Sequence, residues 1–288
     1  MIENGWFSLR IWVTNYLSID ETALSKGELY TIITNKKAKG KKGAIVDIFA
    51  GIKVDPIIEQ LLKTPKSLRG KVKEITLDMA NSMKMIAKKC FPKAIQVTDR
   101  FHVQKLALEA LQDIRIKHRW NAIDLENEHI KKAKSSLKNF KPEIFCNGDT
   151  RKQLLARSRY LLYKSPNNWT QNQYIRSKIL FEQYPDIKKA YNLVQGLRSI
   201  FNTATSIQTA YTKLAHWYNE VENANFRAFN TIANTITINY RSILNYFINR
   251  NTNASAKSFN AKIKAFRAQF RAVKNVDFFL FRLTRVFA

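Results

Sequence analysis

Cysteine, proline, glycine and acid are all scarce in this chain of 288 residues, and each shortage excludes something. The two cysteines, Cys90 and Cys146, stand far apart with no His or Cys at zinc-ligand spacing. That excludes a disulfide framework and a zinc finger and leaves both as expected buried thiols. Among only 8 glycines there is no GxxxxGK loop, so nucleoside triphosphate hydrolysis is not expected. No apolar run approaches the roughly 18 residues that span a bilayer. The opening "MIENGWFSLRIWV" lacks a secretory h-region and cleavage site, so a cytoplasmic location and no membrane partner are expected.

The shortage of acid says most. Twenty-two Asp and Glu face 49 Lys and Arg, a net charge of +27. Such a surface repels itself unless a polyanion is its partner, and the basic residues run through the whole length instead of gathering on one anchoring helix. Nucleic acid is the expected ligand. What is plentiful is apolar: 45% hydrophobic residues can fill a sizeable core without staples.

Short β-branched runs come first, in "YLSID", "ELYTIIT" and, after the basic loop "NKKAKGKKG", "AIVDIFAG". Asp55 and Pro56 then fit the N-cap and first position of a helix, "PIIEQLLK", and "VKEITLDM" reads as a fourth strand. The helix "SMKMIAKKC" ends before Pro92; the strand "AIQVTD" leads into the helical "RFHVQKLALEALQDIRI". The order β-β-β-α-β-α-β-α describes an α/β fold, a five-stranded mixed sheet in which a meander lies beside parallel strands. Beyond about residue 103 the periodicity is helical, with a loop or helix start at "SPNNWTQNQ".

Asp20, Asp78 and Asp99 each close a strand, and C-terminal ends of parallel strands open on one side of a sheet. Two or three carboxylates there are what Mg²⁺ or Mn²⁺ requires for phosphodiester chemistry. Each alone reads equally as a turn former or helix N-cap. Glu21, Thr22 and Glu28 read as cap, turn and strand-surface residues, while His102, three beyond Asp99, can face the same mouth.

These residues carry a resemblance. The blocks "SIDETALSKGELYTI", "TLDMANSMKMIAKKCFPKAIQVTDRFHVQK" and "NYFINRNTNASAKSFNAKIKAFRAQFRAVKNVDFFLFRL" resemble bacterial insertion-sequence transposases with an RNase H-like DDE domain, of the ISL-three-type branch and its ISAon-like relatives. The resemblance implies that Asp20 and Asp78 bind metal as catalytic acids, with Asp99 the rival for second acid and Asp99 and His102 forming a D-x-F-H motif. It implies a glutamate at position 257, where this chain has Lys257. A protonated lysine donates hydrogen bonds but cannot coordinate a cation. Glu220 and Glu222 are the alternative third acids.

The implied organisation is an N-terminal extension at 1–15, the first part of the RNase H-like core at 16–104, a helical insertion at 105–245 and a C-terminal helical part at 246–288. Fifteen residues leave no room for the end-recognition region that many relatives carry, so a separately encoded DNA-recognition protein is an expected partner. Others are double-stranded DNA, as transposon ends and target, and further copies assembled on DNA. Expected DNA contacts are Lys262, Lys264, Arg267 and Arg271 on the polar face of the last block, and Arg115 and Arg119 in the insertion. Lys117, Trp120, Arg157, Arg159, Lys164, Trp169 and Arg176 are further candidates in the insertion. The expected function is metal-dependent cleavage of transposon ends and strand transfer, impaired by Lys257, with Mg²⁺ or Mn²⁺ weakly held. The alternatives are a non-catalytic DNA-binding derivative acting as repressor or competitor, and an RNase H-like nuclease using another carboxylate.

Overall fold

The computed structural model describes residues 6–8, 14–24, 27–270 and 275–288. Two compact units emerge, Met1–His102 with Asn239–Ala288, and Val103–Ile238.

The first unit holds the sheet. Strands β1 (Trp6–Ser8), β2 (Tyr16–Ala23), β3 (Leu29–Asn35) and β4 (Ile45–Ala50) precede helices α1 (Val54–Leu62) and α2 (Lys66–Arg69). Then come β5 (Glu74–Leu77), α3 (Asn81–Cys90) and β6 (Ile95–Thr98). The spatial order is β1-β4-β3-β2-β5-β6, antiparallel from β1 to β2 and parallel from β2 to β6. The five expected strands therefore make the mixed sheet of an RNase H-like arrangement, and the three-residue β1 adds a sixth at the β4 edge. Helix α1 departs from expectation at its start. Lys53 is the N-cap, with no side-chain cap bond, and Asp55 and Pro56 lie inside the first turn. Nothing is lost there, because first-turn N–H groups need no helical acceptor and the acid still faces the positive helix end.

Strand alternation gives each sheet face its own core. Leu17, Ile19, Ile33 and Ile75 pack with Ile57, Leu61, Met83 and Ile86 of α1 and α3. Tyr30, Ile32, Ile45 and Ile48 pack with Phe259 and Ile263 of one C-terminal helix and Phe279, Leu280 and Leu283 of another. Each of these side chains contributes roughly 2 kcal/mol on burial. Cys90 is buried as expected, whereas Cys146 is exposed, because it stands in the turn closed by the Ile144–Thr150 bridge.

Helix α4 (Arg100–Ser135) begins in the first unit, and its greater part belongs to the second. That unit continues with α5 (Arg151–Arg157), α6 (Arg159–Leu162), α7 (Gln171–Gln183), α8 (Pro185–Thr203), α9 (Ile207–Ala224) and α10 (Arg227–Ile238). "SPNNWTQNQ" proves to be a helix start, with a 3-10 turn at Pro166–Asn168 and a Thr170–Gln173 capping box opening α7. Back in the first unit follow α11 (Tyr240–Leu244), α12 (Tyr246–Asn249), α13 (Ala254–Gln269) and α14 (Val276–Phe287). The β6 edge is covered by α11: Asn245 Nδ2 donates to Gln96 O at 2.9 Å, and Ser242 Oγ lies 2.8 Å from Thr98 Oγ1. Among the described residues no helix is long and apolar enough to cross a membrane.

The helical unit is organised around a fully buried acid. Burial would raise the Asp149 pKa, but hydrogen bonds from Arg176, Arg157 and Asn147 hold it below the ordinary value. Arg176 Nε donates to it at 2.7 Å and Asn147 Nδ2 at 2.8 Å. Asp149→Ala would leave two guanidinium groups without their acceptor and is expected to destabilise the chain by about 3 kcal/mol. Urea or thermal denaturation of the full chain measures it.

Candidate active site

The sheet places the first acid differently from the sequence expectation. Asp20 does not close its strand, because hydrogen bonding to β3 continues through Ala23–Leu29. It stands instead where β2 loses its parallel neighbour: pairing with β5 ends at Ser18–Thr76, and Asp78 follows the last residue of β5. Ser18 and Asp20 point to the α13 side, opposite Leu17 and Ile19. Asp78 Oδ1 accepts from Ala80 N at 2.7 Å in a turn that leads into α3. Asp99 follows β6, its Oδ1 accepting from Phe101 N at 3.4 Å as an N-cap of α4 would. His102 begins the next turn, its N–H donating to Asp99 O at 3.0 Å and its ring set edge-on to Phe101.

Helix α13 closes the site from above, and two asparagines set its position. Asn253, fully buried, accepts from Ser18 Oγ at 2.6 Å; Asn260 Nδ2 donates to Asp20 Oδ2 at 2.7 Å. Lys257 lies between them, one helical turn from either. Its Nζ is 2.9 Å from Asp99 Oδ2 and 3.2 Å from the centre of the Phe101 ring. Asp99 is 2% exposed at its side chain, so this ammonium neutralises a buried charge and rests on an aromatic face as cations prefer.

The three acids act on one another electrostatically. Burial pushes the Asp20 pKa up to about 6; Lys257 opposes the rise, while Asp78 and Asp99 add to it. Burial also raises Glu21, with Asp78 contributing, so Glu21 borders the site. Lys84 on α3 is lowered by burial and sustained by Asp78. A half-buried carboxylate whose ionisation its acidic neighbours oppose fits a hard divalent cation, and Asp20 with Asp78 could supply oxygen donors for one. Lys257 does not fit: a protonated ammonium cannot coordinate a cation, and it already lies against Asp99. Among the described residues no group of three or more His, Cys, Asp and Glu is arranged to hold a metal ion. Glu220 and Glu222, the alternative acids, belong to α9 of the second unit.

Sequence reasoning missed Asn253 and Asn260. Asn260 shares the polar face of α13 with Lys257 at i+3, the one signal that pointed to the site.

The expected DNA contacts divide by burial. Lys262 and Lys264 are exposed on α13; Arg119, Lys117, Arg159 and Trp120 are exposed in the helical unit. Arg115 is a correction: it is buried, donating to Leu155 O at 2.8 Å and Gln112 Oε1 at 2.7 Å, so its donors are spent inside the unit. Arg267 is a second, buried in a two-pronged pair with Glu28 and lying over the Phe279 ring. Arg157 and Arg176 serve Asp149. Trp169 packs with Phe181 and Tyr191 and donates to Leu161 O, and Lys164 Nζ donates to Gln173 Oε1. Arg271 lies outside the described residues.

Comparison with known proteins gives the family. Residues 17–283 match the profile of a family described as "Transposase", of the DDE type and ISL3 class. The transposase for insertion sequence element IS1001 of Bordetella parapertussis is 21% identical over 291 residues, covering 94% of this chain and 61% of the relative. The transposases for insertion sequence element IS1557 of two Mycobacterium tuberculosis strains, CDC 1551 / Oshkosh and H37Rv, are 29% identical over 136 residues, 46% of this chain and 30% of each relative. The chain thus spans less than two thirds of the length of these relatives. No solved structure matches it with significance.

The raised Asp20 pKa has a consequence for stability. The penalty for ionising it in the folded chain is absent below the unfolded carboxylate pKa, near 4, grows as pH rises and is complete above the folded value of about 6. Asp20→Asn, which keeps an acceptor for Asn260, is expected to stabilise the chain by about 2 kcal/mol near pH 8 and to change little near pH 4. Urea denaturation at the two pH values, without divalent ions, is the measurement.

Proposed function

The chain belongs to the ISL3-class family of DDE insertion-sequence transposases, and from that membership we propose a transposase core that cuts transposon ends and joins them to target DNA, its catalysis impaired by Lys257. One observation carries the impairment: the Lys257 ammonium sits 2.9 Å from the Asp99 carboxylate, at the position where the family resemblance implies a third acid. Asp20 and Asp78 would hold a divalent ion, Mg²⁺ or Mn²⁺, which when bound supplies activation of an attacking oxygen and stabilisation of the leaving one.

The protein's own part is positional. Asn260 and the Glu21 N–H hold the two Asp20 oxygens, and the Ala80 N–H holds Asp78. Lys257 binds Asp99 and adds a positive charge where a second cation would be repelled. Double-stranded DNA is the substrate in this reading, bound with steep salt dependence by a chain of net charge +27. Joining two ends calls for self-association on DNA, and a separately encoded recognition protein is a further expected partner.

The neat accommodation of Lys257 favours a second reading. An ammonium with both a carboxylate and an aromatic face suits a chain that binds DNA without cutting it, as a repressor or competitor of an active transposase.

Strand cleavage and transfer by this chain and by Lys257→Glu, on matched transposon-end DNA with Mg²⁺ or Mn²⁺, separate the readings. Activity is expected only in the variant, and equal activity in both would sink the assignment of position 257. Inactivity in both, with DNA binding intact, would favour the binding derivative. Without divalent ions Lys257→Glu is also expected to lower stability by about 3 kcal/mol, since Asp99 then faces a like charge; Mg²⁺ should restore part of it in a thermal melt.

A further inference from the structure

The loop between β3 and β4 carries Lys37, Lys39, Lys41 and Lys42, all exposed, and the exposed Lys262 of α13 joins them by donating to Gly40 O at 3.2 Å. Among the described residues none of these five ammonium groups has a carboxylate within ion-pair distance. The nearby buried Glu74 is taken by Lys36 at 3.6 Å and by the amides of Asn249 and Asn251.

The loop is also a built frame. Buried Asn35 accepts from Lys37 N at 3.0 Å and Thr14 Oγ1 at 2.9 Å and donates to Gly43 O at 3.2 Å. Ala44 N donates to Phe287 O at 2.9 Å, tying the loop's exit to the end of α14. Lys39 takes a left-handed backbone, φ 48°, that lysine rarely adopts, and Gly40 follows at φ 73°. A side chain at Gly40 would meet Phe259 at 3.4 Å. Like charges are thus gathered on a frame that tolerates an uncommon backbone at Lys39, and a polyanion laid across them would relieve their repulsion. The loop leaves the sheet at Asn35, which pairs with Leu17, three residues before Asp20 on β2, and Lys262 ties it to α13, the helix that also carries Asn260.

We propose that this lysine loop, together with Lys262, is a docking ridge for the phosphate backbone of double-stranded DNA. The proposal rests on the DNA-binding reading above and assigns the surface that reading leaves open.

The test is fluorescence anisotropy with a short labelled duplex over a range of NaCl concentrations. It uses the full chain, the fourfold variant Lys37→Gln, Lys39→Gln, Lys41→Gln, Lys42→Gln, and a control with Lys53, Lys63, Lys88 and Lys89 changed to Gln on or beside α1 and α3. Each neutralised phosphate contributes about 0.9 to the slope of log affinity against log salt. The loop variant is expected to lose about 3 from that slope and on the order of 100-fold in affinity at low salt, with the control near the parent. No salt-dependent binding by the parent would overturn the DNA-binding reading and this proposal with it. Parent binding with an unchanged slope in the loop variant, or an equal loss in the control, would overturn the proposal alone. So would a loop variant that keeps DNA affinity but loses binding to phosphatidylserine vesicles.

Discussion

The register of α13 against β2 is the constraint on which the site depends, and two asparagine side chains set it. Asn253 meets Ser18 and Asn260 meets Asp20, two residues apart on the strand and seven apart on the helix. Seven residues of helix, about 10 Å, thus lie over two of strand, about 7 Å, and the reach of the asparagine side chains lets both bond at once. Phe259 and Ile263 bury an adjoining side of the same helix. With that register, position 257 projects over the ends of β5 and β6 and nowhere else. Whatever residue stands there enters the acidic site.

Seen this way, Lys257 is compatible with the fold for the reason it is awkward for metal chemistry. One buried and two half-buried acids form a cluster that favours positive charge. A metal-binding site leaves that need unmet until the ion arrives, and an ammonium meets it permanently. The aromatic face of Phe101 lies where the charge rests, so the lysine is desolvated on one side by a ring and on the other by a carboxylate. The folded state is served by this arrangement, and in the proposed reading the chemistry associated with the family is not.

Local pattern made the strands, the order of elements and the strand-end positions of Asp78 and Asp99 legible, because alternation and turn residues act over a few positions. The reach of β2 was not legible: its pairing with β3 past Asp20 is decided by a neighbour, not by its own sequence. Arg115 and Arg267 looked like surface charges for the same reason. Their partners are a backbone carbonyl 40 residues away and a glutamate 239 residues away, and burial follows from partners that periodicity cannot name. Cys146 erred the other way, a residue type that prefers interiors placed on a tight turn. Lys257 was the reverse case, visible only because the surrounding wording resembled a family in which another residue is expected.

The two margins of the sheet deserve a different kind of reading. On one side β1 contributes three residues of pairing to β4; on the other, α11 sets an asparagine amide against a carbonyl of β6. Unpaired strand margins invite other chains to add to them. A protein expected to crowd many copies onto one nucleic acid would bring such margins together at high local concentration. With β1 paired along one margin and α11 covering the other, copies that gathered on DNA would meet through side chains and not by fusing their sheets into a common ribbon.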